Sequence, residues 1–175
     1  MGHFHRLLAQ PADTHLIDLG PYLHEIARSA ISAMSSPDAT TLDPMACKTC
    51  ELSNSQALLI GLIVGELVTN SVKYAHPAGV RGRIRVTCEP TGAHSAIGVE
   101  DDGVGFPEGF DPSIDGGLGL RTARLLADQL RATLTFRSGP LGVIAHLLVP
   151  AEPSTSRTQI HLATPPGVPG SASPV

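Results

Sequence analysis

The sequence predicts an α+β fold, and three observations predict it. Apolar residues recur at spacings of three and four in residues 21–34, 56–75 and 118–130, the period of helices with a buried face. Residues 81–88 instead alternate well enough for a strand, and 95–101, 134–136 and 143–149 read as its partner strand and a second hairpin around Gly- and Pro-containing turns. An apolar fraction of 42% with 16% charged residues, in a chain of 175, suffices for the core of one domain with tails.

Residues 1–10 read as the end of a helix, with His3 and His5 flanking Phe4, then Arg6, Leu7 and Leu8, before Pro11 breaks it. Leu16-Ile17-Asp18-Leu19 is a short extended piece leading to Gly20 and Pro21. Pro21 suits the first position of a helix, where its missing N–H is no loss. Leu23, Ile26, Ala27, Ala30, Ile31 and Met34 carry the apolar face of that helix, which ends at Ser35-Ser36-Pro37. Residues 40–51 are the least legible, with one strand near 44–47 and a turn. Ser53 or Ser55 caps the long helix that follows. Residues 81–88 form a strand, Pro90-Thr91-Gly92 a turn, and residues 95–101 the partner strand, which delivers Asp101 at its end. After the loop 106–116, Leu120, Ala123, Leu126 and Ala127 face inward from a helix over 118–130. A second hairpin turns at Gly139-Pro140-Leu141-Gly142, and residues 151–175, rich in Pro, Ser, Thr and Gly, read as a disordered tail.

The helix over 56–75, QALLIGLIVGELVTNSVKYA, carries the chemistry. Glu66, Asn70 and Lys73 share one face at 3.6 residues per turn, with Tyr74 beside it. Leu59, Leu62, Ile63, Leu67, Val68, Val72 and Ala75 make up the rest, so most of this helix is expected to be buried. An unpaired polar group on it costs roughly 2–7 kcal/mol. The stripe therefore either faces solvent or holds a ligand. A carboxylate and an amide oxygen suit magnesium or its bound water, and the ammonium of Lys73 suits phosphate.

Composition excludes several classes. A formal charge of −4 gives no reason to expect nucleic acid or an anionic membrane as partner. No apolar run reaches the ~18 residues of a membrane span, and no basic-then-apolar leader follows Met1, so a cytoplasmic location is expected. Cys47, Cys50 and Cys88 are an odd number, unlike a disulfide framework, and the lone CKTC motif reads as a strand end and turn rather than a zinc or redox site. His76 reads as a residue at a helix C-terminus and Asp102 as a turn residue. His94, His146 and His161 have no partners at metal-ligand spacing.

Two glycine motifs follow the long helix: EDDGVGFP at 100–107 and GGLGL at 116–120. ELVTNSVKYAH, DDGVG and GLGL, in that order, resemble the N, G1 and G2 boxes of the GHKL ATPase superfamily, over residues 18–150. The resemblance implies a two-layer α/β sandwich of Bergerat type, a mixed, mostly antiparallel sheet packed on helices. It also implies ATP and Mg2+ as cofactors. By position, Asn70 matches the magnesium-holding asparagine and Glu66 the glutamate that orients the metal's water or acts as general base. Lys73 matches a phosphate-contacting basic position, and Tyr74 a position flanking the nucleotide. Asp101 matches the acceptor for the adenine amine, with Gly103 and Gly105 letting backbone approach the base. Gly117, Gly119 and Leu120 open a helix whose N–H groups can meet phosphate.

LIDLGPYLHEI and GLIVGELVTNSVKYA, with the short 106–116 loop, are further similar to sensor histidine kinases of the HisKA_2/HWE type. On that resemblance residues 1–17 end a dimerisation or linker helix, residues 18–150 are the catalytic domain, and the activity is Mg-dependent transfer of the ATP γ-phosphoryl group to a histidine. The implied partners are a response regulator or other phosphoacceptor protein, with a homodimer possible. Two departures stand out. The phosphoacceptor motif of the group, an HRxKN helix, is absent, and His3-Phe4-His5-Arg6 resembles the end of the dimerisation hairpin. Where the family has Gly-Thr after the last turn, this chain has Gly142-Val143, one nucleotide-side hydroxyl fewer. A regulatory nucleotide-binding module without phosphoryl transfer, and a serine kinase of anti-sigma-factor type, share the fold.

Overall fold

The computed structural model describes residues 16–34, 39–77 and 80–151; the readings for residues 1–15, for the helix end at 35–37 and for residues 152–175 lie outside them. Strand β1 (Leu16–Asp18) runs into helix α1 (Leu19–Met34). Three short strands, β2 (Thr40–Leu42), β3 (Ala46–Cys47) and β4 (Glu51–Ser53), precede α2 (Asn54–Tyr74). The hairpin β5 (Gly82–Thr91) and β6 (His94–Asp101) is followed by α3 (Leu118–Gln129) and the hairpin β7 (Thr133–Gly139) and β8 (Gly142–Pro150).

Six strands form one sheet in the order β2-β5-β6-β8-β7, with β3 on the same edge of β5 as β2. β2 and β3 run parallel to β5, and the other pairs are antiparallel. Alternation puts Ile84, Val86 and Cys88 of β5, Ile97 and Val99 of β6, and Ala145, Leu147 and Val149 of β8 on one buried face. Onto that face the helices bury Leu23, Ala27 and Ile31 (α1), Ile60, Ile63, Val64, Leu67 and Val68 (α2), and Leu120, Ala123 and Ala127 (α3). Each fully buried aliphatic side chain contributes about 1.5–3 kcal/mol. The expected two-layer sandwich with a mixed, mostly antiparallel sheet is the fold observed.

Two details set where α2 lies. Tyr22 of α1 rests on Gly61 of α2, where a Cβ would come within 2.5 Å of the phenol oxygen; burial raises the pKa of that phenol. The antiparallel ribbon β1–β4 ties the start of α1 to the start of α2, and Ser53 caps α2, its Oγ accepting from the Gln56 N–H at 3.4 Å.

Several expectations are corrected. α1 starts at Leu19, before Pro21, because the Asp18 carboxylate accepts the Gly20 N–H at 3.2 Å and acts as its cap. The first hairpin turns at Gly92-Ala93, with Gly92 at φ 60°, so β5 continues through Pro90 to Thr91. Residues 40–51 hold parts of three strands, of two or three residues each in the described chain, too short for a period to show. Leu62, expected inside, is 52% exposed, as is Leu58 at 51%, because no described element covers the outer side of α2. α2 has the length and apolar content of a bilayer span, and its inner face is packed in the core.

Candidate functional site

The last turns of α2 carry consecutive residues, Asn70 and Ser71, that face two different neighbours. Ser71 faces the sheet. Alternation along β6 places Asp101 on the same inward face as Ile97 and Val99, so a carboxylate ends a row of core residues and is only 5% exposed. Such a group requires donors, and it has three. Its Oδ1 accepts from the N–H groups of Gly103 and Val143, each at 3.1 Å, and its Oδ2 accepts from Ser71 Oγ at 2.8 Å. Two close approaches hold the surrounding backbone. A Cβ on Gly103 would sit 2.2 Å from the Ala75 carbonyl oxygen, and the Val104 N–H donates to that same oxygen at 2.9 Å. At Gly142, with φ 117°, a Cβ would sit 1.9 Å from the Asp101 carbonyl oxygen.

Asn70 faces α3. Its Nδ2 is buried and has no hydrogen-bond partner, the one such side-chain atom among the described residues. Against it lies the start of α3: a Cβ on Gly119 would come within 2.5 Å of Glu66 Oε2 and 3.8 Å of Asn70 Nδ2. Gly117 caps α3 without a side-chain hydrogen bond, and the first intrahelical bond runs from Arg121 N–H to Gly117 carbonyl. The N–H groups of Leu118, Gly119 and Leu120 therefore have no intrahelical acceptor, and the helix dipole adds partial positive charge there. Leu120 itself is a core residue, so only its N–H is available to a ligand. An unpartnered amide, a half-buried carboxylate and a bare helix start together fit a metal-bound polyphosphate.

Lys73 and Tyr74 lie one turn further on, where α2 leaves the core, and both are exposed; the polar stripe is thus half-buried at Glu66 and Asn70 and open at its end. Among the described residues no carboxylate pairs with Lys73. Gly105, at φ 79°, lies against Gly139, and the adjacent Phe106 N–H donates to Ser138 Oγ at 2.6 Å.

Some contributors went unread in the sequence. Ser71 is one, although it falls three and four residues after the buried Val68 and Leu67, a spacing that puts it on the inner face. His76 and Asp102, read separately as end and turn residues, meet: His76 Nε2 lies 3.0 Å from Asp102 Oδ1, which also accepts the Arg83 N–H at 2.7 Å. Phe106, Phe110 and Phe136 cluster, with ring centroids 4.9 and 5.9 Å apart, and anchor the 106–116 loop to β7. The CKTC residues run from the end of β3 to the residue before β4. Cys47, Cys50 and Cys88 are free thiols, Cys50 Sγ donates to Ser95 Oγ at 3.2 Å, and burial pushes the Cys47 and Cys88 thiols up. No group of three metal-ligating side chains occurs among the described residues.

The chain is similar to several known proteins. Residues 55–166 match the family described as histidine kinase-, DNA gyrase B- and HSP90-like ATPases. Blue-light-activated histidine kinase 2 of Erythrobacter litoralis is 34% identical over 143 residues, 81% of this chain and 41% of that protein. Sensor histidine kinase PdtaS of Mycobacterium tuberculosis is 31% identical over 88 residues, 49% of this chain and 18% of that protein. The chain thus spans less than half the length of these relatives. The solved histidine kinase domain of the Erythrobacter litoralis blue-light activated kinase superposes with a TM-score of 0.71 at 30% identity, covering 81% of this chain and 65% of that one. The matched family model takes in α2 with Glu66 and Asn70, the turn after Asp101 and the start of α3, and the chain belongs to the histidine kinase-, DNA gyrase B- and HSP90-like ATPase family.

Proposed function

We propose that this chain is the ATP-binding catalytic domain of a histidine kinase, with residues 18–150 forming that domain, and that it transfers the γ-phosphoryl group of ATP to a histidine in two-component signalling. The observation that carries this reading is the orphaned, buried amide nitrogen of Asn70 beside the uncapped start of α3. A buried donor without an acceptor costs about 1–3 kcal/mol, and a polyphosphate or its metal-bound water removes that cost.

In this reading Asp101 accepts the exocyclic amine of adenine, and Gly103 and Gly105 keep the adjoining backbone free of side chains. Asn70 would hold Mg2+ through its amide oxygen, and Glu66 would orient a water of that ion or take the proton of the attacking imidazole. When bound, the ion supplies neutralisation of the phosphate charge. Lys73 and the N–H groups of Gly119 and Leu120 bind phosphate oxygens, Gly117 leaves room for them, and Tyr74 flanks the nucleotide. Transfer forms an N–P bond to the histidine and breaks the bond from the γ-phosphorus to the bridging oxygen, with ADP leaving; the protein's part is positioning and charge stabilisation. A response regulator would receive the phosphoryl group next, and a homodimer is the assembly this activity suggests.

The test is incubation of the full chain with magnesium and γ-labelled ATP, followed by the acid and alkali stability of label on protein. Acid-labile, alkali-stable label marks phosphohistidine, with His3 and His5, outside the described residues, as the positions to substitute. Label that survives acid instead shows a hydroxyl acceptor and overturns the histidine reading.

A further inference from the structure

Asp101 is more fully engaged than an acceptor waiting for a base needs to be. A carboxylate offers about four lone-pair sites. Gly103 and Val143 occupy both on Oδ1, and Ser71 occupies one on Oδ2, which leaves one. The two backbone donors come from the sheet side, and Val143 adds no hydroxyl. Ser71 is the one side chain among the described residues that donates to Asp101, and it does so from α2, thirty residues away in sequence. Its hydroxyl therefore decides which way the remaining lone pair of Oδ2 points.

We infer that Ser71 is the positioning residue for base selection: it orients Asp101 so that the carboxylate has one acceptor site, aimed at a single N–H donor, the six-amino group of a purine. This rests on the reading of Asp101 as the adenine acceptor. Without the Ser71 hydroxyl, the two Oδ1 bonds still hold the carboxylate, but Oδ2 has two open sites and water can take either. Preference for the amine falls, while affinity contributed by the rest of the nucleotide stays. Because Ser71 follows Asn70 directly on a rigid helix, the residue that orients the base acceptor and the residue that faces the phosphates move together.

The probes are ATP and purine riboside 5′-triphosphate, which lacks only the amine. Dissociation constants are measured with magnesium on the full chain, together with thermal midpoints. The wild type is expected to prefer ATP. Ser71→Ala is expected to lose about tenfold of that preference, through weaker ATP binding at unchanged affinity for the deaminated analogue. Ser71→Thr, which keeps the hydroxyl, restores it. Should Ser71→Ala fold poorly, Ser71→Cys keeps the volume with a weak donor, and its preference is expected between those of serine and alanine. An equal loss for both triphosphates, or an unchanged preference, overturns the role given to Ser71. A wild type that does not distinguish the two triphosphates overturns the reading of Asp101 itself, which separates the two failures.

Discussion

The two ends of the site differ in how complete they are without a ligand. At the β6 end, Asp101 is buried with three donors, and the adjoining turn is pinned to Ala75 by the Val104 hydrogen bond and to His76 by Asp102. At the α3 end, one residue earlier on α2, Asn70 has a buried nitrogen with nothing to bond, and Lys73 stands in solvent. The first end is part of the folded core, and the second keeps a buried donor that the fold leaves unmatched. Substitutions at the first end should therefore damage folding and binding together, and at the second binding alone.

The largest effect is expected at Asp101. Asp101→Ala strands the Gly103 and Val143 N–H groups and the Ser71 hydroxyl in the core, and about 3–5 kcal/mol of stability should be lost. A urea midpoint close to wild type would show that this carboxylate does not hold β6, β8 and α2 together, and the comparison would collapse. Gly103→Ala comes next. Its Cβ meets a backbone carbonyl rather than a movable side chain, so about 2–3 kcal/mol should go, with nucleotide affinity falling because the turn after Asp101 shifts. An unperturbed melting curve for this variant would mean that the turn can slide away from Ala75.

Asn70→Ala sharpens the contrast from the other side. It removes a buried unpaired polar group, so stability should not fall and should rise by up to about 1–3 kcal/mol, less the packing lost with the side chain. Magnesium-dependent ATP affinity, measured by calorimetry, should fall on the order of 100-fold. Unchanged affinity would sink the assignment of this end to the metal and phosphates.

The same division explains what was legible in the sequence. α2 could be read because twenty residues hold one period and its polar stripe breaks that period at Glu66 and Asn70. Asp101 could be read because strand alternation aims it inward just where glycines begin. Ser71 was passed over since one serine among apolar residues looks the same whether its hydroxyl meets solvent or a carboxylate thirty positions on. His76 and Asp102, likewise, declare their pairing only when β6 is seen to end beside the end of α2. The edge strands β2 and β3 have no period of their own, and their place comes from pairing with β5. Leu62 went wrong for a related reason: apolarity states that a residue can be buried, not that an element is present to bury it.

The smallest effect should come from Lys73, and its form matters more than its size. An exposed ammonium interacts through water and its attraction is screened by salt. Lys73→Met should leave the melting temperature unchanged and weaken ATP binding about three- to tenfold at low ionic strength. That difference should shrink as salt rises toward about 0.5 M, where the Debye length is only a few ångström. Asn70→Ala should show no such convergence, because its loss arises in a buried position that salt does not reach. If the Lys73→Met deficit persisted at high salt, the lysine would be desolvated against the phosphates in the bound state. The α3 end would then close over the nucleotide, and the contrast drawn between the two ends would describe only the ligand-free chain.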